Sequence, residues 1–143
     1  MFVRLMIGFA GLCGALAVAM GSLHAHGLER LLEVRGYAAA DIAQRMQFCD
    51  TANKYALLQA GALLATASLI TSRGGLVLKL GGLGMVAGTL GFCGALYMLT
   101  FANSDAWGQV APVGGITLIL SWLFVAVAAL VPHYEDDAGE LVD

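Results

Sequence analysis

The sequence predicts an all-α integral membrane protein: a four-helix bundle with an amphipathic helical segment between the first and second spans. Of the 143 residues, 59% are hydrophobic and 12% are charged, and the mean hydropathy is +0.82. Soluble domains usually carry about 25% charged residues, so this composition indicates a membrane protein. The apolar residues form long runs without the alternation of a β-barrel, and this pattern favours membrane-spanning helices.

Four apolar runs define the predicted spans, at about residues 2–23, 50–70, 76–101 and 113–131. A helix needs about 20 residues to cross the hydrocarbon core. The second run is short by itself, so we extend it upstream to Asp50, with Lys54 reaching the interface through its apolar stem. The first run resembles a signal peptide, but its apolar stretch is longer than usual, and we expect it to be retained. The spans form one membrane domain, residues 1–132, and residues 133–143 are predicted to be an acidic, solvated and mobile tail.

The connection between the first two spans contains charged residues and apolar residues at helical spacing. It predicts a short helix over Leu28 to Val34, a turn, and an amphipathic helix from about Ala39 that runs into the second span. Two acid-first pairs at i,i+4 favour ion pairs, namely Asp41 with Arg45 and Asp50 with Lys54. We expect the segment to lie on the membrane surface or to pack over the mouth of the bundle.

The two other connections are simpler. Thr71 to Gly75 predicts a tight turn that contains glycine, and Asn103 to Pro112 predicts a polar loop whose Trp107 suits the membrane interface.

Small residues recur at alternating spacings of three and four in two spans, which places them on one helical face. Such a face lets a neighbouring backbone approach closely, so both stripes predict helix packing. The third span has Gly81, Gly84, Gly88, Gly91 and Ala95, and the first span has Gly8, Gly11 and Ala15, continued by Ala19 and Ser22.

Five polar residues form a possible functional cluster near one end of the first two spans: His24, His26, Asn53, Lys54 and Gln59. Residues i and i+2 of a helix point about 200° apart, so the two histidines are poorly placed to share a metal ion. We interpret them as the rim of a helix that ends at His26, with Gly27 supplying a permissive conformation. A metal site completed by Glu29, or another functional role, is the alternative.

No signature of an enzyme is found in the sequence. It contains no phosphate-binding loop, no zinc-protease motif and no catalytic triad that can be argued, so we expect no catalytic, cofactor-binding or metal-binding residues. The three cysteines, Cys13, Cys49 and Cys93, are too far apart for a C-x-x-C motif and are interpreted as small core residues. Seven basic against ten acidic residues leave no basic patch for a nucleic acid.

Two functions remain open. The favoured one is a structural or accessory subunit that packs against other integral membrane proteins or against itself in the lipid bilayer. The alternative is a small-molecule or ion transporter or channel, which would require a polar path or broken helices at mid-membrane.

Several segments resemble the YgdD-like family of small four-span membrane proteins, a family with a domain of unknown function. The likeness extends from about Gly8 to Leu130 and is carried by "GLCGALAVAMGSLHAHGLERLL", "DTANKYALLQAGALL", "GFCGALYMLTF" and "APVGGITLILSWLFVAVAAL". The resemblance implies the four-span fold and no established activity. It also implies two departures, because the family usually has a small residue in place of His24 and commonly a histidine in place of Gln59.

The type of membrane is predicted from the class of protein, and the orientation of the chain is predicted from the positions of its basic residues. We expect a bacterial inner membrane, with the mitochondrial inner membrane as the alternative. Arg4, Arg73 and Lys79 lie close to span ends on the side of the termini, whereas the basic residues of the opposite side are interleaved with acids. By the positive-inside rule, this distribution favours both termini in the cytoplasm.

Overall fold

The computed structural model describes residues 1–130, which form five α-helices and no β-strand. The helices are α1 (Phe2–His26), α2 (Leu28–Val34), α3 (Ala39–Arg73), α4 (Leu76–Phe101) and α5 (Trp107–Leu130). All except α2 are long and apolar enough to cross a membrane, which confirms the four predicted spans. The predicted acidic tail lies outside the described residues.

The helical segment between the first two spans is also confirmed. α2 occupies the predicted residues, and α3 begins at Ala39 and continues without interruption into the second span. At 1.5 Å per residue, the 35 residues of α3 extend about 52 Å, well beyond the roughly 30 Å of a hydrocarbon core. Leu28 and Leu32 of α2 are fully buried against α3, so α2 packs over the end of the bundle.

Glycine is needed at the turn between α3 and α4. Gly74 and Gly75 have φ angles of 67° and 92°, in the left-handed region that side chains disfavour. At Gly27, in contrast, φ is −161°, an extended conformation that any residue adopts. The helix does end at His26, but the expectation that Gly27 supplies a special conformation is wrong.

The last span begins earlier than expected. The polar loop predicted from Asn103 to Pro112 ends at Ala106, and α5 starts at Trp107, with Pro112 inside the helix. The first turn is supported by amide bonds from Gly108 to Asp105 O at 2.9 Å and from Gln109 to Ala106 O at 3.2 Å. Proline predicts a boundary because it donates no amide hydrogen bond, but Pro112 lies in the second turn of α5, and the helix continues through it with one intrahelical bond lost.

The spans pack in chain order. α1 packs on α3, α3 on α4, and α4 on α5, while α1 makes only a slight contact with α4. The two edge helices are therefore the most exposed of the four spans. Within the most apolar 18 residues of each span, 17% are buried in α1 and in α5, against 39% in α3 and in α4. In a membrane, these exposed faces contact lipid or another protein.

The small-residue stripe of α4 lies against α5. A Cβ added at Gly81 would lie 3.3 Å from Phe124 Cβ, and one added at Gly88 would lie 2.8 Å from Leu118 Cγ. A Cβ at Gly91 would lie 3.1 Å from Gly114 Cα, so the two backbones almost touch there. This is the most extensive helix pair in residues 1–130.

The corresponding stripe of α1 has no partner within the described chain. A Cβ added at Gly8 or Gly11 would meet nothing within 4 Å, and Ala15 is exposed. α1 packs on α3 through another face, formed by Met6, Ala10, Gly14 and Ala17. Because α1 carries small residues on both faces, the sequence alone did not show which face meets α3.

Candidate functional site

The five residues of the predicted polar cluster do not come together as one site. His24 is half-buried and His26 exposed in the last turn of α1, and no hydrogen bond or ion pair joins either to the other three within residues 1–130. Lys54 is exposed and forms the predicted ion pair with Asp50 at 2.6 Å. Residues 1–130 contain no group of three side chains that could hold a metal ion.

Asn53 instead takes part in a partly buried contact between three helices. The Tyr97 hydroxyl of α4 donates a 2.8 Å hydrogen bond to Asn53 Oδ1, and Asn53 Nδ2 lies 3.7 Å from Cys49 Sγ. α1 approaches the same side chain with a glycine, since a Cβ at Gly21 would lie 3.9 Å from Asn53 Nδ2. The Asn53–Tyr97 bond therefore fixes α4 against α3 where α1 comes close.

Two of the three cysteines lie in apolar clusters that include Tyr97, which the sequence did not predict. Cys49 of α3 and Cys93 of α4 belong to these clusters, and Cys13 of α1, like both of them, is a free thiol. Cys49 and Cys93 are buried, which agrees with small core residues. A signal existed in the sequence, because Cys49 and Cys93 each precede their polar neighbour, Asn53 or Tyr97, by four positions and so share its helical face.

Gln59 lies deeper in the bundle. Its side chain is 2% exposed, and its Oε1 atom has no hydrogen-bond partner in the described part of the chain. Residue 59 is close to the midpoint of the predicted span. The adjacent Ala60 lies opposite α1, since a Cβ built on Gly14 would lie 3.8 Å from Ala60 Cβ. A buried polar atom without a partner is costly in a low-dielectric interior and calls for an explanation.

Arg45 was expected to pair with Asp41, and this expectation is wrong. Its Nη1 atom donates to the carbonyl oxygens of Leu99, Thr100 and Ala102 at 2.9, 3.0 and 3.0 Å, at the C-terminal end of α4. The guanidinium also lies over the Tyr37 ring, 3.9 Å from its centroid. Helix C-termini present unpaired carbonyls and partial negative charge, which attract a cation more strongly than an exposed i,i+4 carboxylate does.

These features define a class of protein: a small multi-pass integral membrane protein with few buried polar side chains in its described residues. The chain belongs to the family described as protein of unknown function (DUF423), whose family model matches residues 20–115. This match confirms the resemblance seen in the sequence.

The relatives are membrane proteins by name. The UPF0382 inner membrane protein YgdD of Escherichia coli K12 is 28% identical over 127 residues, which cover 89% of this chain and 90% of the relative. The UPF0382 membrane protein YwdK of Bacillus subtilis is 29% identical over 129 residues, 90% of this chain and 98% of the relative. A UPF0382 membrane protein of Haemophilus influenzae is 31% identical over 115 residues, 80% and 85% of the two chains. No solved structure matches the chain.

Proposed function

We propose that the chain is a structural or accessory subunit of the bacterial inner membrane, which packs against other integral membrane proteins or against copies of itself. The proposal includes no catalytic activity. The name of the Escherichia coli relative supports the choice of membrane. The observation that carries the proposal is the uncovered small-residue stripe of α1, formed by Gly8, Gly11 and Ala15 at the edge of the bundle.

Helices in lipid associate through close contact between their surfaces. Apolar side chains gain little from leaving lipid for a protein surface, so association depends on close packing, which small residues permit. The α4 stripe shows what the same pattern does when it is covered, because its glycines bring the α5 backbone into contact. Glycine also lowers helix propensity, so a second such stripe on an exposed face is a cost that an external partner would offset.

The test is Gly11→Leu, with Gly61→Leu as the matched control. Both glycines are exposed helix residues with nothing within 4 Å of an added Cβ, so the two positions are matched in their surroundings. Only Gly11 belongs to the α1 stripe. The measurement is stoichiometric copurification, or self-association, of the chain from native membranes in mild detergent.

We expect Gly11→Leu to abolish the association and Gly61→Leu to preserve it. A wild-type chain that purifies as a monodisperse free monomer would contradict the proposal. An association that survives Gly11→Leu would place the contact on another face and remove the observation on which the proposal rests.

A second candidate function, transport of a small molecule or ion, is favoured by Gln59 alone. Its buried and unpartnered Oε1 atom offers a polar contact near the middle of the spans. The test is solute flux into proteoliposomes, which Gln59→Leu would abolish if the side chain lies on the path. Flux that is absent in the wild-type chain, or that is unchanged by Gln59→Leu, would remove this candidate.

A further inference from the structure

Gln59 shares a helical face with Tyr55 and Thr66, which lie four residues before it and seven residues after it and contact α4. Two contacts between α3 and α4 bracket its level: the Tyr55 and Phe92 rings, with centroids 5.1 Å apart, and Thr66 Oγ1 with Met85 Sδ at 3.6 Å. Interpolation between these contacts places Gln59 opposite Thr89. Thr89 is 3% exposed and lies on the same face of α4 as Met85, four residues away.

The hydroxyls of Thr89, Thr66 and Tyr97 all donate to groups other than Gln59 Oε1. Thr89 donates to Met85 O at 2.7 Å, Thr66 donates to Met85 Sδ, and Tyr97 donates to Asn53. The Thr89 oxygen nevertheless keeps lone pairs that can accept a hydrogen bond. The level of Gln59 therefore has two acceptors, Gln59 Oε1 and Thr89 Oγ1, and no donor among the hydroxyls of residues 1–130.

We propose that Gln59 holds a single buried water molecule, which donates one hydrogen bond to Gln59 Oε1 and the other to Thr89 Oγ1. Buried waters typically satisfy polar groups that have no other partner. Ala56 and Cys93, one helical turn from Gln59 and Thr89 respectively, are small and buried.

The orientation of the amide does not affect the assignment. If the Gln59 amide is rotated by 180°, the orphaned atom becomes an N–H donor in place of a carbonyl acceptor. A water molecule can accept a hydrogen bond as well as donate one, so it satisfies either orientation. The inference rests on neither proposed function, since a bound water stabilises the bundle whether or not the chain has a partner or transports a solute.

The direct test is water-to-side-chain magnetisation transfer by solid-state NMR on glutamine-labelled protein in liposomes that contain only lipid and water. The chain has four glutamines, and Gln44, Gln47 and Gln109 are exposed. The Gln59 amide is identified by its absence from the spectrum of Gln59→Asn. We expect transfer from water to the Gln59 amide together with at least tenfold slower hydrogen exchange than at the three exposed glutamines.

A second test measures the folding equilibrium of Gln59→Met, Thr89→Val and the double variant. A shared water couples two residues that have no direct bond, so the double variant should be at least threefold more stable than the single changes predict by addition. Thr117→Val is the control, because the Thr117 hydroxyl also bonds within its helix, to Val113 O at 2.9 Å, but lies on α5. The stability changes caused by Thr117→Val and by Gln59→Met should therefore be additive in the double variant.

Absence of water transfer to Gln59 in the wild-type chain would overturn the proposal. So would a Gln59→Met variant that folds at least tenfold more favourably than wild type, because that gain would show that the amide has no partner to lose. The NMR result on the wild-type chain decides the matter even if a variant fails to fold.

Discussion

The close approach of α5 to α4 at Gly114 predicts the effect of one added methyl group there. A Cβ built on Gly114 of α5 would lie against the backbone nitrogen of Phe92 and 2.8 Å from Phe92 Cα. These atoms belong to the α4 backbone, which cannot rotate away as a side chain can. Gly114→Ala can therefore be accommodated only if α4 and α5 move apart along their shared face.

The magnitude follows from two opposing terms. Overpacking of a tight interior costs about 3 kcal/mol at the upper end of its usual range, and a contact with a rigid backbone belongs at that end. Replacing glycine by alanine inside a helix returns about 1 kcal/mol of helix propensity. We expect Gly114→Ala to lower the free energy of unfolding by about 2 kcal/mol, a change of about 30-fold in the folding equilibrium.

The neighbouring glycine provides the control. A Cβ on Gly115 would lie 3.5 Å from Phe92 Cδ2, an ordinary contact, so Gly115→Ala should keep the propensity gain of about 1 kcal/mol. Reversible unfolding of both variants in the same detergent measures the difference of about 3 kcal/mol. Equal stability of Gly114→Ala and Gly115→Ala would refute the close approach of α4 and α5.

Three further predictions concern polar groups and orientation. Arg45→Ala should lower the free energy of unfolding by about 2 kcal/mol, as expected for hydrogen bonds from a charged group, and should speed hydrogen exchange at the end of α4. Unchanged exchange would show that the bonds from Arg45 to the α4 carbonyls contribute nothing. Tyr97→Phe leaves Asn53 Oδ1 unpaired and should lower the free energy of unfolding, measured in denaturant, by about 1–2 kcal/mol. Lys54→Ala should change it by no more than about 0.5 kcal/mol, because the Lys54–Asp50 ion pair is exposed. Equal effects of the two variants would contradict this ranking. A fluorescent protein fused after Asp143 should fluoresce and a periplasm-dependent phosphatase should be inactive, and the reverse result would invert the predicted orientation.

The spans and the surface segment could be predicted because each depends on local properties. Span length and hydropathy fix the four crossings, and the amphipathic pattern after Ala39 fixes the course of α3. The start of α5 was misplaced because Pro112 indicates a helix boundary, whereas α5 continues through this proline. The partner of Arg45 was misassigned because the carbonyls at the end of α4 are 54 or more residues away, and only the folded chain brings them to α3.

The two small-residue stripes show where the sequence stops being informative. α1 and α4 carry the same pattern, but the α4 stripe meets α5 and the α1 stripe faces outward. A stripe of small residues indicates that another helix backbone can approach closely, but it does not identify which helix does so. For α4 the short connection of residues 102–106 settles the question, because it keeps α5 beside its predecessor. α1 has a single neighbouring span in the chain, and another of its faces, which includes Ala10 and Gly14, already packs on it. The Gly8–Gly11–Ala15 face has no contact within residues 1–130, and under the proposed function another membrane protein covers it, so Gly11→Leu is the change that best separates a subunit from an independent membrane protein.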